Sequence, residues 1–185
     1  MPERILLCTD LDRTLLPNGN APESAQARAL FAALVSHPNC TLVYVSGRHK
    51  ALVQEAIAEF NLPIPDVVIG DVGTSIYQVG ADGWQQWPQW ITKIAADWDG
   101  CEQPDLQYLF GHLAELTLQE SSKQNRFKLS YYVPTTIDPK PLLSAMRQCL
   151  ALHSIRAELI YSVDEASATG LLDVLPASAT KLPCR

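Results

Sequence analysis

Three short apolar runs constrain this chain more than any other feature. Arg4–Asp10 (RILLCTD), Thr41–Val45 (TLVYV) and Asp66–Ile69 (DVVI) are continuous rather than alternating and end in polar turn residues. That is the pattern of strands buried on both faces of a parallel sheet. Between the first two runs, Pro22 and Ser24 give a helix start. Ala27, Leu30, Phe31 and Leu34 then follow at the i, i+3, i+4, i+7 spacing of one buried face, and His37, Pro38 and Asn39 stop the helix. Between the second and third, Leu52, Val53, Ala56, Ile57 and Phe60 mark another helix, broken at Leu62-Pro63. Two successive strand-helix-strand units imply right-handed crossovers and an α/β fold with ligands at the carboxyl ends of the strands. Asp10 and Ser46 lie at those ends.

The pattern changes after Gly70. Gly73–Val79 (GTSIYQV) reads as one extended segment and is followed by a Trp-rich stretch, Trp84 to Trp98, so a boundary is expected near residue 80. Beyond it come a helix carrying Leu106, Leu109, Phe110, Leu113 and Leu116, and an alternating strand with Phe127, Leu129, Tyr131 and Val133. A helix with Leu142, Leu143, Met146 and Leu150 and a strand around Leu159–Tyr161 complete the set. This is an α+β insertion spanning 80–165. Leu171–Leu175 (LLDVL), closed by Pro176, is a short strand assigned with residues 166–185 to the same core domain as 1–79.

With 14 basic and 20 acidic residues among 185, the net charge of -6 opposes nucleic acid and anionic membranes. Five scattered cysteines without a CxxC pair argue against a disulfide framework and a zinc site, which fits a reducing cytoplasm. Ile5–Cys8 is too short for a signal-peptide core, and no later run approaches a membrane span.

Residues two apart on an extended segment point to the same side, so Asp10 and Asp12 can present two carboxylates, or a carboxylate and a backbone carbonyl, to one pocket. Such oxygen ligands suit Mg²⁺, which would shield an Asp10 carboxylate attacking phosphorus. Asp12 can protonate the leaving oxygen and later deprotonate water, and Thr14 can hydrogen-bond within the turn. A DxD pair is also common in ordinary turns. Ser46-Gly47-Arg48 offers a hydroxyl and backbone N–H groups to a phosphoryl oxygen, although a Ser there serves as readily as a helix N-cap. Lys181 can supply positive charge to a transition state or simply be solvated.

Taken together, LLCTDLDRTLL, VYVSGRH, VGTSIY and LDVLPASATK resemble the haloacid dehalogenase phosphatase superfamily, and QNRFKLSYYV with LDVLP resembles its sucrose-phosphate phosphatase branch. The resemblance implies a Rossmann-like parallel sheet with a C2-type α+β cap at 80–165. It implies Asp10 as nucleophile through an aspartyl-phosphate, Asp12 as acid/base, Ser46 as phosphate-binding hydroxyl, Lys181 as the motif lysine, and Mg²⁺ held by Asp10 and Asp12. Thr14, Gly47 and Arg48 join the substrate-binding set. Gln124, Asn125 and Lys128 match a cap segment that faces the sugar, unless Lys128 merely edges a strand. The implied substrate is a sugar phosphate, sucrose-6-phosphate first and mannosyl-3-phosphoglycerate or another glycosyl phosphate as the alternative. A different class of reading is a non-catalytic phosphatase-like module bound to a sugar-phosphate synthase, and the oligomeric state is left open.

Two departures stand out. His49 occupies a position often held by a small hydroxyl residue, and the chain reads Leu182-Pro183-Cys184-Arg185 where the family continues to an acidic GDxxND-type motif. The core is therefore expected to be C-terminally truncated, with Ile5–Cys8 an uncovered sheet edge and little or no activity. An inactive fragment and a non-catalytic phosphatase-like module are the alternatives.

Overall fold

The computed structural model describes residues 4–17, 24–164 and 167–179, and the chain divides into two compact units, one ending at Pro88 and one spanning Gln89–Ala179.

The first unit is built on a five-stranded sheet. Strands β1 (Ile5–Asp10), β2 (Cys40–Val45) and β3 (Val67–Gly70) run parallel in that order, and β4 (Ser75–Gly80) and β5 (Gly83–Gln86) add antiparallel. Helices α1 (Ala27–Val35) and α2 (Lys50–Glu59) make the two crossovers. The core gathers Leu42 and Tyr44 from β2, Val53, Ala56 and Ile57 from α2, and Leu11 and Leu16 from the turn after β1. The three apolar runs thus become the three parallel strands. α2 buries the expected stripe, with Val53, Ala56 and Ile57 all inside.

α1 departs from expectation. No residue of it is fully buried, Leu30 is 66% exposed and Leu34 is also exposed, while Phe31 and Val35 reach the core. Phe31 and Val35 are four apart and share one line along the helix, so the inward face is narrower than the predicted stripe and rotated from it. β1 and β5 are the two edge strands of this sheet among the described residues. Leu6 is 59% exposed and Ile5 is exposed beside it, so the run expected to be buried on both faces has no fully buried residue among the described ones.

The boundary lies later than predicted. Val79 pairs with Trp84 and Gly80 with Gly83, so 83–86 fold back as a hairpin strand onto β4 and stay with the first unit. Gly83 makes this possible by adopting φ +99, a backbone conformation that favours glycine.

The second unit contains α3 (Pro88–Ala95), which enters from the boundary, α4 (Gln103–Leu109), α5 (Pro139–Leu152) and a four-stranded sheet. The strands are β6 (Thr117–Leu118), β7 (Leu129–Pro134), β8 (Ala157–Asp164) and β9 (Thr169–Pro176), in the order β6-β7-β9-β8. α4 is shorter than its apolar periodicity suggests. It is capped at Phe110, followed by Gly111, so Leu113 and Leu116 lie beyond it. Its start is fixed by a reciprocal capping box between Glu102 and Asp105.

Leu171–Leu175, expected in the core domain, belong instead to the second unit. These residues form the middle of β9, which pairs antiparallel with β7 on one edge and β8 on the other. Leu172 and Val174 are fully buried on the face that also carries Leu129, Tyr131 and Leu159. The second unit therefore runs to Ala179 rather than to 165, because the strand's hydrogen bonds and its apolar face are both satisfied there.

Candidate active site

The carboxyl ends of β1 and β2 lie side by side, with Asp10 paired to Val45. Past Asp10 the chain turns tightly: the N–H groups of Thr14, Leu15 and Leu16 all donate to the carbonyl of Leu11, and Arg13 sits at φ 61. Leu11 and Leu16 anchor the turn in the core, which leaves Asp12, Arg13 and Thr14 exposed. Asp10 is half-buried, and its Oδ1 accepts the Leu11 N–H at 2.8 Å. Thr14 lines a cavity of about 260 Å³ together with Leu15, Arg28, Phe31 and Leu62.

Ser46-Gly47-Arg48 follows β2 as expected. The N-cap of α2 is His49, so Ser46 is not the cap. Ser46 is completely buried, and its Oγ accepts the Arg48 N–H at 3.1 Å, which folds the hydroxyl into the turn. Gly47 is exposed and Arg48 partly so. The Arg48 guanidinium reaches across to Asp12: Nε donates to Oδ1 at 3.0 Å and to Oδ2 at 3.1 Å, and Nη2 to Oδ1 at 2.8 Å. This hydrogen bond raises the pKa of Arg48 above its ordinary value, against the opposing effect of burial. Asp10, Asp12, Gly47 and Arg48 are thereby gathered at adjacent strand ends, while Lys181 lies outside the described residues.

Sequence reasoning missed Asp71. It is buried at the end of β3, its backbone adopts φ 51, and its N–H meets the Arg48 carbonyl. The signal was available in its place after Ile69-Gly70, at the carboxyl end of a parallel strand, where ligand-binding loops gather.

Oxygen donors from Asp10 and Asp12 fit the chemistry of Mg²⁺, which takes few protein carboxylates and keeps water and phosphate oxygens. Among the described residues no group of three or more His, Cys, Asp or Glu side chains is arranged to hold a metal.

In the second unit, Gln124, Asn125 and Lys128 cluster around the entry to β7. The Gln124 side chain is engaged by backbone: Nε2 donates to the carbonyls of Gln119 (3.1 Å) and Ser130 (2.9 Å), and Oε1 accepts the Ser130 N–H at 2.8 Å. Asn125 Oδ1 accepts the Phe127 N–H at 2.9 Å. Lys128 is only 6% exposed, and its Nζ lies 4.0 Å from Asp173 Oδ1, an oxygen that also accepts from Ser130 Oγ. Asp173 was likewise missed, although a lone Asp inside LLDVL falls on the face opposite Leu172 and Val174.

The strand register puts Tyr132, Leu171, Thr169 and Asp164 on the face opposite the apolar core. They line a concavity of about 470 Å³ with Gln119, Lys123 and Ser167. Tyr132 donates to both carboxylate oxygens of Glu120, which raises its own pKa above the ordinary phenol value. The wall combines carboxylate, hydroxyl, amide and ammonium groups with one apolar patch.

The model of the sucrose-6F-phosphate phosphohydrolase family matches residues 3–183. A Nitrosococcus oceani protein described as a HAD-like hydrolase is 52% identical over 182 residues, covering 98% of this chain and 49% of that protein. A glucosylglycerol-phosphate synthase of Pseudomonas anguilliseptica is 28% identical over 177 residues, covering 96% of this chain and 21% of the synthase. The chain thus spans about half or less of the length of these curated relatives. Among solved structures, the sucrose-phosphatase of Synechocystis sp. PCC6803 in complex with sucrose and phosphate shares the fold at a TM-score of 0.74 and 24% identity. The match covers 96% of this chain and 66% of that one.

Proposed function

The chain belongs to the sucrose-6F-phosphate phosphohydrolase family, and from that premise we propose that it carries the phosphate-transfer site of a Mg²⁺-dependent sugar-phosphate phosphatase, with sucrose-6-phosphate the first substrate to test. The carrying observation is the meeting of Asp10 and Asp12 with the Gly47-Arg48 turn at the ends of β1 and β2. The Asp10 carboxylate attacks phosphorus, forming an aspartyl-phosphate as the bond to the sugar oxygen breaks. Asp12 gives that oxygen its proton. Water then attacks the same phosphorus, Asp12 takes its proton, and inorganic phosphate leaves Asp10. Gly47 and Arg48 anchor the phosphoryl oxygens, and Lys181 adds positive charge. Mg²⁺, held by the Asp10 carboxylate and the Asp12 backbone carbonyl so that the Asp12 side chain stays off the metal, would supply charge neutralisation at the phosphate. The polar concavity of the second unit supports a role for that unit in reading the sugar, and Lys128 with Asp173 offers a charged pair beside it. None of the helices among the described residues is long and apolar enough to cross a membrane. A cytoplasmic setting is part of the same proposal, and the scattered positions of Cys40, Cys101 and Cys149, with no CxxC pair, fit it.

The test is phosphate release from sucrose-6-phosphate and from mannosyl-3-phosphoglycerate in Mg²⁺, by the full chain and by Asp10→Asn. Release abolished by Asp10→Asn supports the reading. Release that survives the substitution removes Asp10 from the chemistry. A second reading draws on the match to a synthase: the chain associates with, or forms part of, a sugar-phosphate synthase. Synthase binding unchanged by Asp10→Asn, with no phosphate release from either form, would favour it.

A further inference from the structure

We infer that Arg48 is a positioning residue for Asp12, holding its carboxylate aside while the phosphate site is empty and exchanging it for the phosphate of an incoming monoester. The inference rests on the phosphatase reading above. Both oxygens of Asp12 accept from the Arg48 fork, Oδ1 from Nε and Nη2 and Oδ2 from Nε. While that grip lasts, neither oxygen is presented to a leaving group. The two side chains are 30% and 47% exposed, and ion pairs so open to water are weak, whereas their forked geometry is strongly directional. A grip of this kind orients without trapping.

A phosphate monoester carries about 1.5 to 2 negative charges and offers the same two-oxygen acceptor edge, so it outcompetes a single carboxylate for the guanidinium. The exchange requires no backbone movement. The Arg48 N–H is fixed on Ser46 Oγ and its carbonyl on the Asp71 N–H. Asp12 sits in a turn pinned by Leu11 and Leu16. Only two side chains need to turn, and Asp12 becomes available for proton transfer when phosphate occupies the site.

The experiment uses the full chain and inorganic phosphate as the probe, in a double-mutant cycle read by amide shifts at Gly47, with the Arg48 Nε–H resonance followed in parallel. Asp12→Asn should tighten phosphate binding about fivefold in the parent and less than about twofold in Arg48→Ala, since the released guanidinium is the source of the gain. Plain repulsion by Asp12 gives the opposite order, with an equal or larger gain once Arg48 is gone, and that result overturns the inference. The Nε–H signal should shift both on adding phosphate and in Asp12→Asn; indifference to Asp12→Asn also overturns it. Arg48→Lys keeps the charge but not the fork, so full coupling in that variant overturns the positioning role. A coupled cycle in a chain that hydrolyses no sugar phosphate supports the exchange and removes the phosphatase reading. Asp10-dependent hydrolysis with an uncoupled cycle does the reverse, and a parent chain that binds no phosphate overturns both.

Discussion

The N–H of Asp71 donates to the carbonyl oxygen of Arg48 over 2.9 Å, tying the loop after β3 to the turn after β2. Val72 repeats the tie one residue on, donating to the Ser46 carbonyl at 3.3 Å. Asp71 at φ 51 and Val72 at φ 60 both occupy the left-handed region, which is costly for a β-branched residue. Strain of this kind persists only where surrounding contacts enforce it, and here it fixes the backbone that presents Gly47 and Arg48.

Gly70 lies under that tie, and a Cβ added there would stand 3.0 Å from the Arg48 carbonyl oxygen. Gly70→Ala must push this backbone away by a few tenths of an ångström. The expected outcome is a stability loss of about 1 kcal/mol in urea unfolding, with sugar-phosphate turnover reduced about tenfold. Unchanged turnover would mean that the position of the Arg48 turn does not matter to the chemistry.

Burial pushes the phenols of Tyr44 and Tyr131 up to about 12, from an ordinary 10.0. The unfolded chain therefore releases these protons near pH 10 while the folded chain keeps them. Stability from each is fully present below pH 10 and is lost as pH rises to 12, on the order of 2 to 3 kcal/mol per tyrosine. Phenolate absorbance followed alongside circular dichroism should show both groups ionising only as the chain unfolds. Tyr44→Phe and Tyr131→Phe should each flatten the fall in stability across this window. Tyr44→Phe also leaves the Pro63 carbonyl without the hydroxyl that donates to it at 2.7 Å, a loss of about 1 kcal/mol at neutral pH. Ionisation of both groups near pH 10 in a chain that stays folded would contradict the assignment.

The parallel half of the first sheet was legible because its strands are continuous apolar runs at 5–10, 40–45 and 67–70, although only the latter two are buried as such runs imply, and β1 lies open at an edge. The same property misled at 171–175, since a central antiparallel strand also reads as a continuous run and says nothing about which sheet it joins. Gly83–Gln86 has neither alternation nor an apolar run, so the hairpin that moves the boundary was invisible. At the site, Asp10, Asp12 and Arg48 could be nominated from local motifs. That Arg48 grips Asp12 across 36 residues of sequence is a product of the β1–β2 register and could not be. Gln124 shows the same limit from the other side: an amide can serve a ligand or the backbone, and only the fold shows it clamping Ser130 on both its N–H and its carbonyl.

Asp97 is a buried carboxylate outside the candidate site. Oδ1 pairs with Arg156 Nη2 at 2.7 Å and Oδ2 accepts the Ser178 N–H at 2.6 Å, joining the segment after α3 to the start of β8 and the turn after β9. Asp97→Ala removes both acceptors at once and, since Arg156 is 69% exposed and strands no buried charge, should destabilise the second unit by about 2 kcal/mol. Asp97→Asn loses the ion pair but keeps an oxygen for Ser178, so its loss should be smaller. Urea unfolding of the two variants checks the order, and an Asp97→Ala change below about 0.5 kcal/mol would show the cluster to be incidental.

Gly170 gives the sharpest steric test in the second unit. It lies opposite Val163 on β8 and Val133 on β7, and a Cβ there would meet the Val133 carbonyl oxygen at 2.7 Å and the Tyr161 ring at 2.9 Å. Neither can yield easily, because Val133 is held in the β7–β9 ladder and Tyr161 is in register with Leu172, two residues along β9 from Gly170. The aromatic side chain covers the space that a residue at 170 would otherwise fill, an arrangement that protects a glycine within a sheet. Gly170→Ala should therefore cost about 2 kcal/mol or more in unfolding free energy, even though alanine is the better strand residue in isolation. Pairing it with Tyr161→Ala separates the causes: removing the ring should recover part of the loss if the Tyr161 contact contributes, and none of it if the Val133 backbone alone is responsible.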